Sequence, residues 1–200
     1  MKIAVMGRGS VGSTLGRAWS SAGHHVRYGR QVPDAADERI HEDAASWADV
    51  VVLATPASVA ETLASTLSVS EGAVVIDCTN PLLPGLAGLD HADASGGERI
   101  GEAMRGAKVF KAFNSVGANI MADPVLEGRR AMMLFCGPGR DEDPDAVDVV
   151  AGLIEDVGFD AVHVGPLARA PHLEHLAYLW IRMSVDTDLG RDFAFGLLRR

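Results

Sequence analysis

Three glycines near the start of the chain have the spacing of a turn that holds phosphate groups. The apolar run 3–6 leads directly into this turn, and an amphipathic segment with apolar residues on one helical face follows at once. The pattern therefore predicts a strand, a glycine turn and a helix in direct succession. The turn consists of Gly7, Arg8, Gly9, Ser10, Val11 and Gly12.

Each glycine of this turn has a separate task in such a site. Gly7 permits the tight turn, Gly9 lets a pyrophosphate approach the backbone, and Gly12 lets the helix pack closely on the strand. The start of the helix offers free N–H groups and the positive end of its dipole to the phosphates. We therefore predict dinucleotide binding, and a glycine turn without a ligand is the alternative.

The end of the second predicted strand indicates which dinucleotide is bound. A site for NAD usually has Asp or Glu here, where the carboxylate binds the ribose hydroxyls. Instead, the predicted strand 25–28 is followed by Gly29 and Arg30. A carboxylate would repel a 2′-phosphate, whereas a guanidinium pairs with it in a fork. The sequence thus predicts NADP(H), with Arg30 on the 2′-phosphate and Arg8 on the same phosphate or the adenine, although either arginine could be a solvated surface residue.

Apolar, strand-like runs alternate with helical patterns along most of the chain. This alternation predicts an α/β fold with a doubly wound, mainly parallel sheet of about eight strands. We predict strands at 3–6, 25–28, 48–54, 72–77, 108–113, 131–136 and 160–164, and helices at 58–67, 98–105, 144–157 and 171–185. Ser58 and Glu61 have the spacing of a capping box, and 82–97 is predicted to be a long loop. The chain 1–200 is predicted to be one domain, with 171–200 as a short C-terminal helical extension.

Polar residues follow several of the predicted strands. The carboxyl ends of parallel strands border the ligand crevice of a doubly wound sheet, so we expect these residues to contact the ribose and the nicotinamide. Asn80 and Asn114 either orient the cofactor rings or serve as turn residues. The candidates at these strand ends are Ala54, Thr55, Pro56, Asn80, Ala112 and Asn114.

Composition limits the classes of function. The 200 residues are 48% hydrophobic and have a formal net charge of −9, which argues against broad nucleic-acid binding. No apolar run reaches the roughly 18 residues that cross a bilayer, and no signal-peptide pattern precedes the first strand. We therefore expect a cytoplasmic protein with no membrane partner. Cys78 and Cys136 are predicted to be buried structural thiols, because no CxxC spacing surrounds them.

The last predicted helix carries two histidines and a broad apolar surface. His172 and His175 lie one turn apart, and a metal site would need a further ligand that the sequence does not offer. We predict no metal, which leaves helix packing or the lining of a substrate pocket as their roles. The helix is apolar over more than half of its circumference, so it is either deeply buried or shared with a second subunit in a homodimer.

Together these residues give the chain a resemblance to a known family. It resembles the NADPH-dependent reductases of the deazaflavin coenzyme F-420, also called coenzyme F-420-dependent NADP oxidoreductases, over nearly its whole length. The KAFN segment also resembles the cytosolic reductase domain of the membrane ferric-iron reductases, which pass electrons from NADPH through a flavin. The most specific segments are KIAVMGRGSVGSTLG, VVLATP, VVIDCTNPL, KVFKAFNSVG, HLEHLAYLWI and GRDFAF.

The resemblance implies a Rossmann fold and a hydride transfer between NADP(H) and coenzyme F-420 or a flavin, its small-molecule partner. In the family a Ser/Thr-Arg pair takes the 2′-phosphate; here the pair reads Gly29-Arg30, so one hydroxyl is missing. No catalytic side chain is implied, because the cofactors carry the chemistry. Candidate anchors for an anionic coenzyme tail, each of which could equally be a surface residue, are Arg129, Arg130, Arg169 and Arg191.

Two other functions remain open. One is an NADPH-dependent reductase of a small imine or carbonyl substrate, although such reductases have a longer helical domain than the segment after Pro171. The other is a non-catalytic NADP(H)-binding sensor, which needs no closed pocket over the nicotinamide. The position of Phe193 and Phe195 relative to the crevice discriminates between an enzyme and a sensor.

Overall fold

Strands and helices alternate along the chain, which the computed structural model describes over residues 1–91, 93–198 and 200. The strands are β1 Lys2–Met6, β2 His25–Arg30, β3 Glu38–Ile40, β4 Val50–Leu53, β5 Val74–Asp77, β6 Lys108–Lys111, β7 Val125–Leu126, β8 Arg129–Arg130, β9 Met132–Phe135 and β10 Asp160–His163. The helices are α1 Ser10–Ser21, α2 His41–Trp47, α3 Ala57–Thr66, α4 Gly96–Ala103, α5 Ala118–Ala122, α6 Pro144–Val157 and α7 Ala170–Asp186.

Six parallel strands form the central sheet in the order β3-β2-β1-β4-β5-β6. The strand order reverses between β1 and β4, which leaves a crevice at their carboxyl ends. A second parallel pair, β9 and β10, joins the β6 edge, where Lys111 and Cys136 exchange antiparallel backbone hydrogen bonds of 2.8 and 3.1 Å. The prediction of a doubly wound, mainly parallel Rossmann sheet is therefore confirmed.

Helices cover both faces of this sheet, which explains why its strands are continuous apolar runs. α1, α5 and α6 pack on one face, where Trp19 is fully buried and its indole N–H donates to the Leu153 carbonyl at 2.9 Å. α2, α3 and α4 cover the other face around Val51 and Leu53. Because the strands are buried on both faces, polar side chains occur chiefly where the strands end.

Two local predictions about helix ends are wrong. α3 begins at Ala57 after Pro56, so Ser58 already lies inside the helix and does not cap it. The capping box instead begins α4, within the segment predicted to be a loop. There the Glu98 N–H donates to Ser95 Oγ at 3.2 Å, and the Ser95 N–H donates to Glu98 Oε2 at 3.0 Å.

The second strand is longer than predicted. Gly29 and Arg30 belong to β2, because β3 pairs with it through Gly29 opposite Arg39 and Arg30 opposite Ile40. β3 lies in a polar, alanine-rich segment, and its 3 residues are too few to give an apolar pattern. Arg30 is therefore the last residue of β2, still at the carboxyl end of the sheet.

α7 is the longest helix, with 17 residues, and extends the predicted 171–185 by one residue at each end. Leu173, Ala177 and Trp180 are buried, whereas Leu179 is half exposed. One stripe of α7 thus packs on its own chain and another lies open, so the homodimer stays a prediction. In the described part of the chain, no helix has the length and apolar character needed to cross a membrane.

Candidate functional site

The three glycines of the first turn differ in their surroundings. Gly7 has φ +103°, a conformation that side chains other than glycine rarely adopt. A Cβ atom on Gly12 would lie 2.3 Å from the Gly7 carbonyl oxygen, so α1 can pack here only without a side chain. A Cβ atom on Gly9 would meet no protein atom within 4 Å. Gly9 is therefore the one glycine of the three with open space in front of its backbone.

The start of α1 has the features of an anion site. Gly9 occupies the N-cap position, and among the described residues no side chain caps the helix and no acidic residue lies in its first turn. Ser10 is exposed and Val11 is half-buried against the core. The first N–H groups of this 12-residue helix are thus left without side-chain acceptors, at its positive end.

Three neighbouring strand ends each carry a buried oxygen atom without a hydrogen-bond partner. These atoms are Thr55 Oγ1 after β4, Thr79 Oγ1 after β5 and Asn114 Oδ1 after β6, and the statement covers the described residues. Buried polar groups nearly always have a partner, so each unpaired atom requires an explanation. They lie at the carboxyl ends of three adjacent strands, so this edge of the sheet carries polar side chains. A fourth unpaired buried atom among the described residues, His163 Nε2, lies at the end of β10.

The two asparagines at these ends join three elements. Asn80 Nδ2 donates to the Asn114 carbonyl at 2.8 Å, and Asn114 Nδ2 donates to Asn80 Oδ1 at 3.0 Å and to the Leu173 carbonyl at 3.1 Å. β5, β6 and α7 are thereby connected at the crevice. The bonds cross between strands, which differs from the local turn role considered for these residues.

Three further residues that the sequence predicts to bind the cofactor lie near this edge of the sheet, and they differ in burial. Ala54 is half-buried, and its N–H donates to the Met6 carbonyl at 3.0 Å. Pro56 is exposed at the N-cap of α3. Ala112 is fully buried in the core, and its N–H donates to the Asp77 carbonyl at 3.1 Å, so its side chain packs inside rather than facing solvent.

The two predicted phosphate-binding arginines meet at a carboxylate that the sequence did not reveal. Arg8 Nη1 lies 2.9 Å from Glu38 Oε1, and Arg30 Nη1 lies 3.6 Å from the same oxygen. The Arg8 guanidinium also lies over the Tyr28 ring, 4.6 Å from its centroid. The Asp34 N–H, Arg8 and Arg30 hold the pKa of Glu38 at about 2, although burial opposes them. Glu38 is therefore ionised and holds both arginines together at the carboxyl ends of β1 and β2.

The missing hydroxyl of the Gly29-Arg30 pair has a steric reason. A Cβ atom on Gly29 would lie 2.3 Å from Met6 Sδ and 3.1 Å from the His41 ring. A serine or threonine at this position would require Met6 to move. Arg30 remains half-exposed and is the polar side chain that this pair offers to a ligand.

A buried charged cluster lies behind the strand ends and was not predicted. Lys111 Nζ is fully buried and bonds Asp77 Oδ2 at 2.7 Å, Glu174 Oε1 at 2.7 Å and the Thr79 carbonyl at 2.6 Å. Its three N–H donors are thus all used. Glu174, also fully buried, accepts from the Gly97 N–H at 2.9 Å at the start of α4. The cluster ties β5, β6, α4 and α7 together directly beneath Asn80 and Asn114.

His91 completes this cluster. Its Nε2 lies 2.5 Å from Glu174 Oε2, and its ring packs edge-on against His175 with centroids 5.0 Å apart. Two carboxylates, Asp77 and Glu174, thus face one lysine, and Glu174 also contacts His91. His175 is exposed and its Nδ1 lies 2.7 Å from the Pro171 carbonyl. The described residues include no group of three or more side chains arranged to hold a metal ion.

The sequence carried one signal of this cluster that pattern reading missed. Lys111 follows the apolar residues 109–110 and precedes the apolar residues 112–113, and Glu174 lies among apolar residues of α7. A lysine and a glutamate at buried positions of separate elements require partners. Asp77, at the end of a fully apolar strand, was the available counter-charge, but only the fold brings it to Lys111.

The two cysteines have no described disulfide and are buried, as predicted. Burial raises the pKa of the Cys136 thiol to about 12. Burial and the Asp77 charge likewise raise the pKa of Cys78 well above its usual range. Both thiols are thus protonated and unreactive at neutral pH.

The four candidate anchor arginines are exposed, and one of them has a structural task. Arg130 donates from Nε to the Gly158 carbonyl at 2.8 Å and from Nη2 to the Glu155 carbonyl at 3.0 Å. It therefore stabilises the C-terminal end of α6. Arg129, Arg169 and Arg191 stay candidates.

The C-terminal tail packs against α7 near the loop that follows β6. The Phe193 ring stacks on Trp180 with centroids 5.3 Å apart, and the Trp180 indole N–H donates to the Phe193 carbonyl at 2.9 Å. Trp180 in turn packs on Gly117, since a Cβ atom there would lie 3.0 Å from its ring. Phe193 is thus held near the loop that follows β6, and Phe195 packs edge-on against Phe193.

Comparison with known proteins adds a family to this geometry. Residues 2–81 match the family model described as NADP oxidoreductase, coenzyme F420-dependent. The match covers the N-terminal part of the chain, and its family is the one that the sequence resembles. The matched part includes the glycine turn, Arg30, Thr55 and Asn80, whereas Lys111, Asn114 and Glu174 lie beyond it.

Solved structures of similar chains agree with this family. A putative F420-dependent NADP reductase from Arthrobacter sp. FB24 is 28% identical, with both chains covered over 100% of their length and a TM-score of 0.80. A hypothetical protein from Sinorhizobium meliloti is 26% identical over 100% of this chain and 96% of its own, with a TM-score of 0.71. The matches support an NADP-dependent oxidoreductase.

A more distant structure shows the shared fold. An imine reductase from Aspergillus terreus, in complex with NADPH4 and a dibenzazepine, is 16% identical, with a TM-score of 0.66. The match covers 92% of this chain and 62% of the imine reductase. At this identity the likeness describes the fold and not the substrate.

Proposed function

We propose that this protein binds NADP(H) along the carboxyl ends of β1, β4, β5 and β6 and transfers a hydride between NADP(H) and coenzyme F-420 or a flavin. The main support is the uncapped start of α1 with the open backbone of Gly9 in front of it. Such a helix start leaves N–H groups free to bind a phosphate.

The residues present fit the dinucleotide along its whole length. Gly9 and the uncapped start of α1 would hold the pyrophosphate, because N–H groups and the helix dipole favour an anion there. Arg30 and Arg8 would hold the 2′-phosphate at the adenosine end. Thr55, Asn80 and Asn114 would orient the ribose and the carboxamide at the other end.

The protein's contribution to the reaction is positional. When bound, the nicotinamide supplies or accepts the hydride, and the protein orients it and keeps water away. Asn80 and Asn114 are fixed by bonds to each other and to α7. Lys111 binds the chain next to them, at the Thr79 carbonyl and at Glu174. Phe193, held on Trp180, offers an apolar surface beside the same loop. The reduction experiment below decides between an enzyme and a sensor.

We expect the substitution Gly9→Ala to weaken ligand binding while leaving the stability of the fold nearly unchanged. The new methyl group meets no protein atom within 4 Å, so we expect the free energy of unfolding to change by less than about 1 kcal/mol. The same methyl group would stand where the pyrophosphate approaches, so we expect NADPH affinity to fall about tenfold or more, ~1.4 kcal/mol per tenfold. Thermal unfolding and calorimetric titration with NADPH measure the two effects.

Gly12→Ala is the matched variant for this experiment. Its Cβ atom would overlap the Gly7 carbonyl oxygen, so we expect a loss of stability of about 1–3 kcal/mol even without a ligand. If Gly9→Ala bound NADPH as tightly as the original protein, the pyrophosphate would not lie at this turn.

The reaction itself is tested by mixing the purified protein with NADPH and oxidised coenzyme F-420. We expect the deazaflavin absorbance to fall much faster than in the uncatalysed mixture. Parallel reactions with FMN, FAD and a small cyclic imine show whether another acceptor is used. If titration shows that NADPH binds but none of these acceptors is reduced, the enzyme proposal fails and a sensor is favoured.

A further inference from the structure

A second carboxylate contacts the proposed 2′-phosphate site. Asp37 lies just before β3 and pairs with Arg8 through two bonds, 2.9 Å from Nη1 to Oδ1 and 3.0 Å from Nη2 to Oδ2. This parallel pair of bonds is the fork in which a guanidinium also binds a phosphate. The side chain of Arg8 that would serve the ligand is therefore already occupied in the free protein.

The two carboxylates on Arg8 differ in how firmly they are held. The Glu38 side chain is 1% exposed and also accepts from the Asp34 N–H at 2.9 Å. The Asp37 side chain is 44% exposed. Water can therefore replace the Asp37 contact at little cost, whereas breaking the contact between Arg8 and Glu38 would take a partner from a buried carboxylate.

We propose that Asp37 occupies the phosphate-binding fork of Arg8 in the free protein, and that NADP(H) binds by exchanging the Asp37 carboxylate for its 2′-phosphate. The proposal rests on the NADP(H) site described above. Glu38 stays in place during this exchange and keeps Arg8 and Arg30 side by side. No covalent bond forms or breaks, and one anion replaces another on the same guanidinium.

The exchange makes Asp37 a residue that sets specificity and affinity together. NAD(H) has no 2′-phosphate to offer, so its binding would leave the Asp37–Arg8 pair intact. NADP(H) must displace Asp37 from Arg8. The affinity for NADP(H) is therefore lowered by the free energy needed to break the Asp37–Arg8 pair. Removing the Asp37 charge should therefore strengthen binding of the 2′-phosphate and leave a ligand without this group unaffected.

Calorimetric titration with adenosine 2′,5′-bisphosphate and with 5′-AMP tests the exchange. We expect Asp37→Asn to bind the bisphosphate about two- to fivefold more tightly, the range expected from an exposed ion pair. Its affinity for 5′-AMP should not change. This gain in affinity should disappear when Arg8→Ala is also present, because the guanidinium for which Asp37 and the 2′-phosphate compete is then absent.

Glu42→Gln is the matched control. Glu42 lies in the first turn of the neighbouring α2 and is exposed, so its removal changes the net charge equally without touching Arg8. The proposed exchange is wrong if Asp37→Asn does not raise the affinity for the bisphosphate. It is also wrong if Asp37→Asn raises the affinity for both nucleotides equally, or if Glu42→Gln raises the bisphosphate affinity as much as Asp37→Asn does. If the original protein does not prefer the bisphosphate to 5′-AMP, the NADP(H) site and the exchange both fail.

Discussion

Replacing Lys111 by Met is expected to lower the free energy of unfolding by about 3–5 kcal/mol. Lys111, Asp77 and Glu174 are fully buried, and the lysine is within 2.7 Å of both carboxylates. The methionine would fill similar space but leave two buried carboxylates without their cation. Urea unfolding measures the free energy, and the melting temperature should fall by roughly 6–20 °C for a chain of this length.

The matched control neutralises the whole cluster. Combining Lys111→Met with Asp77→Asn and Glu174→Gln removes the uncompensated charges, so we expect at least half of the lost stability to return, although buried amides need partners of their own. Lys111→Met alone with a stability within about 1 kcal/mol of the original protein would show that the cluster contributes little. A triple variant no more stable than Lys111→Met would show that the lost stability does not come from uncompensated charge.

The pH dependence of this cluster has a definite sign. Burial raises the pKa of Glu174, but the charge and hydrogen bond of Lys111 lower it to a net value below the usual one, so its stabilisation is lost as the pH falls through that lowered pKa. Burial lowers the pKa of Lys111, but Asp77 and Glu174 raise it to a net value above the usual one, so its stabilisation is lost as the pH rises through that raised pKa.

The stability difference between the original protein and Lys111→Met should therefore depend on pH. In the variant Glu174 loses the cation that lowers its pKa, so burial raises that pKa and protonation relieves the unpaired charge. We expect the difference in unfolding free energy to be largest near pH 7 and to shrink toward about pH 4, close to the pKa of a free carboxyl. Urea unfolding across this range measures it, and a constant difference would contradict the ionic account.

Arg30→Ala is expected to weaken NADPH binding about 10- to 100-fold, the effect of losing charge-assisted hydrogen bonds of roughly 1.5–3 kcal/mol. Arg30 ends β2 and is half-exposed at the adenosine end of the crevice. NADH lacks the 2′-phosphate, so its affinity should stay nearly constant. Titration of both nucleotides by fluorescence or calorimetry measures the ratio, and equal losses for both would contradict the NADP(H) assignment.

Arg27→Ala provides the comparison for Arg30. Arg27 lies on the same strand, and its guanidinium lies over the Trp47 ring at 4.1 Å from the centroid. The substitution removes the same charge away from the strand end. We expect NADPH and NADH affinities to stay within about twofold of the original, because Arg27 is held on Trp47 away from the end of β2.

The sequence determined the architecture because its signals are local. The run 3–6 and the three glycines after it specify strand, turn and helix within a dozen neighbouring residues, and each glycine shows the steric feature that its task requires. Alternating apolar runs and helical patterns gave the doubly wound sheet. The strand ends at Thr55, Asn80 and Asn114 followed from this, because parallel strands end at one edge. β3 was not predicted, because its 3 residues are too few to form an apolar pattern.

Only the tertiary structure decided which charged residues meet. Lys111 and Asp77 are 34 positions apart, and His91 and Glu174 are 83 apart, so no local spacing connects them. Arg8 and Asp37 are likewise 29 positions apart. An amphipathic pattern reports which face of an element is buried, but an ion pair depends on how separate elements are placed against one another. The glycine turn could therefore be predicted from the sequence, whereas the carboxylates on its arginines and the buried lysine beneath the strand ends required the fold.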